Sequence, residues 1–175
     1  LIDDVGVSEL SRVSISVPQG AVSDLSFDLP GKLRVRQIAG PHLAGWELNE
    51  DNGNRQLRVF FNPPVTSATS LDLKLFLDEK QGDVERAVDL PVVAPREVTR
   101  DTGLVAVLAA ETFQVRSAQV SGLSQIAANQ KLALPAVDNS SAASVRLAWR
   151  FASRPFGLQV IVGRRQQESV ATIQH

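Results

Sequence analysis

The chain has 175 residues, 43% hydrophobic and 21% charged, with a formal net charge of −1. That is enough for one large β-domain or two small ones with a self-sufficient core, and the composition excludes a disordered chain. Cys is absent, which removes disulfides, thiol catalysis and Cys-ligated zinc, and no apolar run approaches the roughly 18 residues a membrane helix needs.

Taken in order, Arg12–Val17 alternates Val13, Ile15 and Val17 against Arg12, Ser14 and Ser16, the period-two pattern of a half-buried strand. Leu25, Phe27 and Leu29 repeat it up to Pro30-Gly31, and Lys32–Ile38 follows. Gly40-Pro41-His42 breaks the chain before a short strand, Gly45–Leu48, that carries Trp46. Asn49–Asn54 reads as a tight turn whose Asn52-Gly53 pair accepts positive φ. Leu57, Val59 and Phe61 then face inward, and Asn62-Pro63-Pro64 is expected to stop that strand. Ser70–Leu77 places four leucines on one face. With a turn at Asp78–Asp83 and a return along Val84–Val93, it predicts a β-hairpin.

A polar crossing with Pro91 and Pro95 leads to Leu104–Ala109 and Phe113–Val120. Its Arg and Asp residues are expected to pair locally at the surface. Ile126-Ala127-Ala128 suggests one helical turn, Lys131–Leu134 a short extended piece and Asp138–Ser144 a loop. Val145, Leu147, Trp149 and Phe151 alternate with Arg146, Ala148 and Arg150, which places Trp149 in the core. Leu158–Val162 is apolar on both faces, as in a strand covered on both sides, and Ser169–Ile173 is a candidate edge strand.

About thirteen short strands punctuated by Pro and Gly predict an all-β antiparallel β-sandwich, either one extended unit or two abutting sub-domains. Residues 1–95 carry 9 basic and 14 acidic side chains, while residues 96–175 carry 9 basic and 5 acidic. This divides the chain into an acidic half, 1–95, and a basic half, 96–175, packed together. A chain that opens on Leu1 and contains no Met is expected to be a piece of a longer polypeptide, with any signal or anchor outside it.

The candidate chemistry is sparse. His42 is the one internal histidine and sits at a strand break, where a base or ligand would suit, but no partner is visible nearby. Glu50, Asp51 and Asn52 offer clustered oxygen ligands, yet hairpin turns favour the same residues for backbone reasons. Asp72, Glu85 and Asp89 could form a paired-carboxylate site across the expected hairpin, although their alternation points them to solvent. Trp46, whose short strand fixes no face, could stack on a sugar ring. His42, Trp46, Asp51 and Asn52 are therefore the ligand-contact candidates. No catalytic residue, metal site or cofactor is expected. The dispersed basic residues argue against nucleic acid.

The segments DLPVVAPREVTRDTGLVAV, VSGLSQI and LAWRFASRPFGLQVIV resemble a pattern in large envelope proteins of planctomycete–verrucomicrobial bacteria. The matching positions are Leu90-Pro91, Arg100 to Gly103, Gly122-Leu123 and Phe151 to Pro155, within residues 88–162. The resemblance implies an all-β segment of a long secreted or membrane-anchored protein in the periplasm, cell envelope or extracellular space, and it carries over no catalytic residue. The expected role is a non-enzymatic structural or interaction segment. Its partners would be other domains of the same polypeptide, a protein or a glycan, without membrane insertion by this segment. The alternative is a carbohydrate-binding or accessory sandwich domain of a carbohydrate-active enzyme.

Overall fold

Strands form almost everywhere the alternation occurs, and they are longer than the pattern alone suggests. The computed structural model describes residues 1–4, 6–77, 84–128, 134 and 143–165, and among these the chain is all β without a helix. The strands are β1 (Ile2–Asp3), β2 (Gly6–Ile15), β3 (Val22–Asp28), β4 (Leu33–Ala39), β5 (Leu43–Asp51), β6 (Asn54–Val65) and β7 (Thr69–Leu77). They continue with β8 (Arg86–Asp89), β9 (Ala94–Pro95), β10 (Gly103–Ala110), β11 (Phe113–Ser121), β12 (Ser124–Ile126), β13 (Ala143–Phe151) and β14 (Gly157–Arg164).

Three sheets result. The largest runs β12-β13-β10-β1-β2-β7-β4, a second runs β5-β6-β3-β9, and a third runs β11-β14-β8. Pairing is antiparallel except between β1 and β10. Each sheet presents one apolar face, and the inward residues of all three belong to a single hydrophobic cluster, so the architecture is a sandwich. Leu71, Leu73, Leu75 and Leu77 of β7 are at most 3% exposed. Each buried leucine contributes about 2 kcal/mol through area removed from water. Trp149 is core, as its register predicts.

The predicted hairpin between Ser70–Leu77 and Val84–Val93 does not form. The four-leucine face makes β7 a central strand, with β2 on one edge and β4 on the other, so no edge remains for β8. β8 pairs instead with β14 in another sheet. Pro63 and Pro64 do not end β6 either. They fall where β3 advances two residues, from Val22 to Asp24, while β6 advances five, from Phe60 to Val65, so neither proline nitrogen is asked to donate to a regular ladder.

Residues 124–126 form β12 on the edge of β13, not part of a helical turn. A strand edge was available there, and three residues cannot nucleate a helix. β14 is buried through Leu158, Val160 and Val162, but Ile161 on its other face is only half-buried, so it is not covered on both sides. The expected turn at 78–83, the pieces at 131–133 and 138–142 and the strand at 169–173 lie outside the described residues.

The crossing that links β8 to β10 meets two sheets, the large one through the Val93 N–H on Glu9 of β2 and the four-stranded one through β3. Ala94 and Pro95 pair with Asp28 and Phe27 of β3. Its charged residues do not pair among themselves. Asp101 is bound by Arg154 from the β13–β14 turn, and Arg96 lies 3.5 Å from Asp28.

Candidate functional site

Two concave or polar features draw on the candidate residues and on the crossing. The first is an open cleft of about 580 Å³ at the tip of the β5–β6 hairpin, bounded by the β3–β4 turn. Asn52 and Gly53 have φ of 49° and 80°, the positive values a two-residue hairpin turn demands, so the turn is two residues and the strands reach Asp51 and Asn54. This brings Asn49, Asp51, Asn54 and Gln56 to the cleft, facing Asp28 and Arg96. Arg55 closes its wall, donating from Nη1 to the carbonyl oxygens of Gly31 at 2.8 Å and Leu33 at 2.7 Å. The lining mixes polar and apolar surface in equal parts, contains no aromatic ring, and balances Asp28 and Asp51 with Arg55 and Arg96. It can hydrogen-bond a neutral polar ligand.

Trp46 does not belong to that cleft. It lies opposite Val59, and Leu48 lies opposite Leu57; both partners are fully buried, so Trp46 and Leu48 share the core-facing side of the sheet. Asn49 and Asp51 therefore occupy the other side. A bulge between Leu43 and Gly45 keeps Leu43 and Trp46 on one face although they are three residues apart. Even so, Trp46 is 42% exposed and Leu48 43%, because β5 is the edge of its sheet and overhangs the core.

His42 opens β5 with φ of 63°, and its carbonyl accepts from the Asn62 N–H at 2.8 Å. It is separated from Asp51 by nine residues of strand, roughly 30 Å at the usual rise. Asp51 lines the cleft, Asn52 shapes the turn beside it, and Trp46 and His42 lie elsewhere. The structure brings the four candidates together only as far as Asp51 and Asn52.

The carboxylate set is also dispersed. Asp72 is held by Arg12 at 2.7 Å on the outer face of the large sheet. Glu85 meets Arg116 at 2.6 Å, and Asp89 accepts from Gln159 at 2.8 Å. Glu50 and Asp51 are adjacent in a regular strand and point to opposite faces, so they cannot share an ion.

The second feature is a polar seam that pattern-reading missed. Glu9 and Ser11 lie opposite Leu75 and Leu73, on the core-facing side of β2. The Glu9 carboxyl accepts from the Val93 N–H at 3.2 and 3.3 Å and from Ser11 Oγ at 2.6 Å. Burial pushes its pKa up to about 7, opposed by the Ser11 and Val93 hydrogen bonds and by the Arg154 charge. Arg154 completes the seam. It is ion-paired with Asp101, donates from Nη2 to the Val93 carbonyl at 3.0 Å, and lies 4.8 and 5.2 Å from the ring centres of Phe156 and Phe151. The only sequence signal for this seam is an acid and a serine on the apolar side of a strand pattern, three residues before the point where the alternation becomes obvious.

Comparison with family models, with curated proteins and with solved structures returned no match.

Proposed function

We propose that this chain is a non-enzymatic structural or interaction segment of a larger bacterial envelope or secreted protein, and that the β5 edge is its docking face. The observation that carries this is the exposure of Trp46 and Leu48, two large apolar side chains on the core-facing side of an edge strand. An edge strand also leaves one row of backbone N–H and C=O groups unpaired, which a segment of extended chain can join. The partner is another segment of the same polypeptide, which adds a strand to β5 and covers Trp46.

Titrating the chain with neighbouring segments of its parent polypeptide, expressed separately, tests this. Trp46 emission is expected to shift to the blue, and Trp46→Lys is expected to abolish binding. Absence of binding by every neighbouring segment would overturn the proposal.

A carbohydrate-binding role is the second reading, favoured by the exposed Trp46 ring and the hydrogen-bonding cleft of Asn49, Asp51 and Gln56. These lie on opposite faces of the sheet, so one sugar cannot use both. A saturable response to soluble polysaccharides that Trp46→Ala removes would select this reading over the first.

A further inference from the structure

A second concavity, of about 270 Å³, lies beside β11 and is lined by Glu85, Phe113, Arg116, Arg146, Ile161 and Arg165, among others. Three arginines and one glutamate leave an excess of two positive charges, and the glutamate is already engaged with Arg116 at 2.6 Å. Arg146 is the extra residue of a β-bulge: Val145 pairs with Leu108 and Leu147 with Val107, which leaves Arg146 unmatched in the ladder. Bulges re-aim side chains, and this one turns a guanidinium to the cleft wall.

The donors there are not used up. Arg146 Nε is shut off from solvent and has no hydrogen-bond partner among the described residues, and Nη2 reaches the Ala110 carbonyl only at 3.5 Å. Arg165 has no ion pair among the described residues, while its backbone N–H, donating to the Thr112 carbonyl at 2.8 Å, fixes it beside Phe113. Glu85 is held over Gly163, where a Cβ would lie 3.3 Å from Glu85 Cβ and Cγ. Arg146 Nε itself is closed to any ligand, so an anion in the cleft meets the guanidinium groups of Arg116, Arg146 and Arg165 only where they line it.

From this geometry we propose that the cleft is a binding site for a tetrahedral oxyanion, phosphate or sulfate, free or carried on a small molecule. A carboxylate is satisfied by one guanidinium fork, whereas three guanidiniums, from β11, from β13 and from the residue after β14, match an acceptor with oxygens on several sides. The volume holds such an anion with several waters, at about 30 Å³ each. This site is independent of the β5 edge.

Calorimetric titration of the full chain with inorganic phosphate, sulfate and acetate at pH 7.5 and constant ionic strength tests the assignment. Phosphate and sulfate are expected to saturate, and acetate to bind at least tenfold more weakly. Arg165→Gln, an exposed change that leaves the sheet ladder intact, is expected to weaken phosphate binding about tenfold. Glu85→Gln is expected to tighten it by releasing Arg116, and the remote Arg12→Gln to leave it unchanged. Arg146→Gln is expected to weaken binding at least as much as Arg165→Gln, with circular dichroism verifying its fold. No saturable heat from either tetrahedral anion, acetate binding as tightly as phosphate, or equal losses from Arg165→Gln and Arg12→Gln would each overturn the proposal.

Discussion

Two arginine–aspartate pairs in this molecule look alike on paper and do different work. Arg12 and Asp72 face each other across β2 and β7 in a two-pronged contact of 2.7 and 2.8 Å, both close to half exposed. Arg154 and Asp101 pair at the seam, with side chains 24% and 21% exposed. There Arg154 also binds the Val93 carbonyl and lies against two phenylalanine rings. The first pair joins strands that are already hydrogen-bonded along their length. The second joins the crossing to the β13–β14 turn just beyond the end of the β10–β13 ladder, where backbone pairing has stopped. Good ion-pair geometry says little about importance; what the pair connects, and how far water is excluded, says more.

The largest expected effect breaks the seam. Arg154→Leu leaves Asp101 without its cation and the Val93 carbonyl without a donor, which should destabilise the chain by about 3 kcal/mol in urea unfolding. Arg12→Gln should shift the unfolding midpoint only slightly. Equal losses from the two would erase the distinction drawn here.

A smaller effect concerns Glu9. Its pKa rises from the ordinary 4.5 to about 7 in the folded chain, so the folded state binds the extra proton between those values. The associated stability is complete below about pH 4.5 and is lost as pH climbs through 7. Glu9→Gln keeps an acceptor for Val93 and removes the titration. It should flatten stability between pH 5 and 8 and gain about 2 kcal/mol at pH 8 relative to the parent chain. A slope unchanged by the substitution would assign the pH dependence elsewhere.

The smallest effect has the opposite sign with pH. The Arg12 guanidinium holds the Asp72 carboxyl below its usual range, so that contribution is present above the ordinary carboxylate pKa and fades in more acid solution. Asp72→Asn should therefore differ slightly from the parent at pH 6 and not at all at pH 2. A difference that grows in acid would contradict the pairing.

The all-β class was legible because the apolar positions of β2, β6, β7 and β13 recur every two residues. The Asn52-Gly53 turn was legible because only a few residue types accept two successive positive φ values. The candidate site was legible only in fragments. Asp51 could be recognised as an exposed oxygen ligand, but a one-residue alternation separates it from Trp46, and the face of Trp46 depends on a bulge that leaves no mark in composition. The unmatched Arg146 is equally silent in the sequence. It interrupts nothing in the Val145–Phe151 alternation, and the bulge exists only because β10 and β13 pair out of step.

By itself, then, the sequence determined what local physics can determine: where the chain extends, where it turns and which residues seek the interior. Partnership between strands was decided by the tertiary structure. Ser70–Leu77 and Val84–Val93 are neighbours with a turn-forming segment between them, yet β7 joins β2 and β4 while β8 joins β14. A strand with four buried leucines is best served at the centre of a sheet, and the backbone ladder, being the same for every residue, carries no address. The same long-range choice placed Glu9 beside Val93, Arg154 beside Asp101, and three arginines around one cleft.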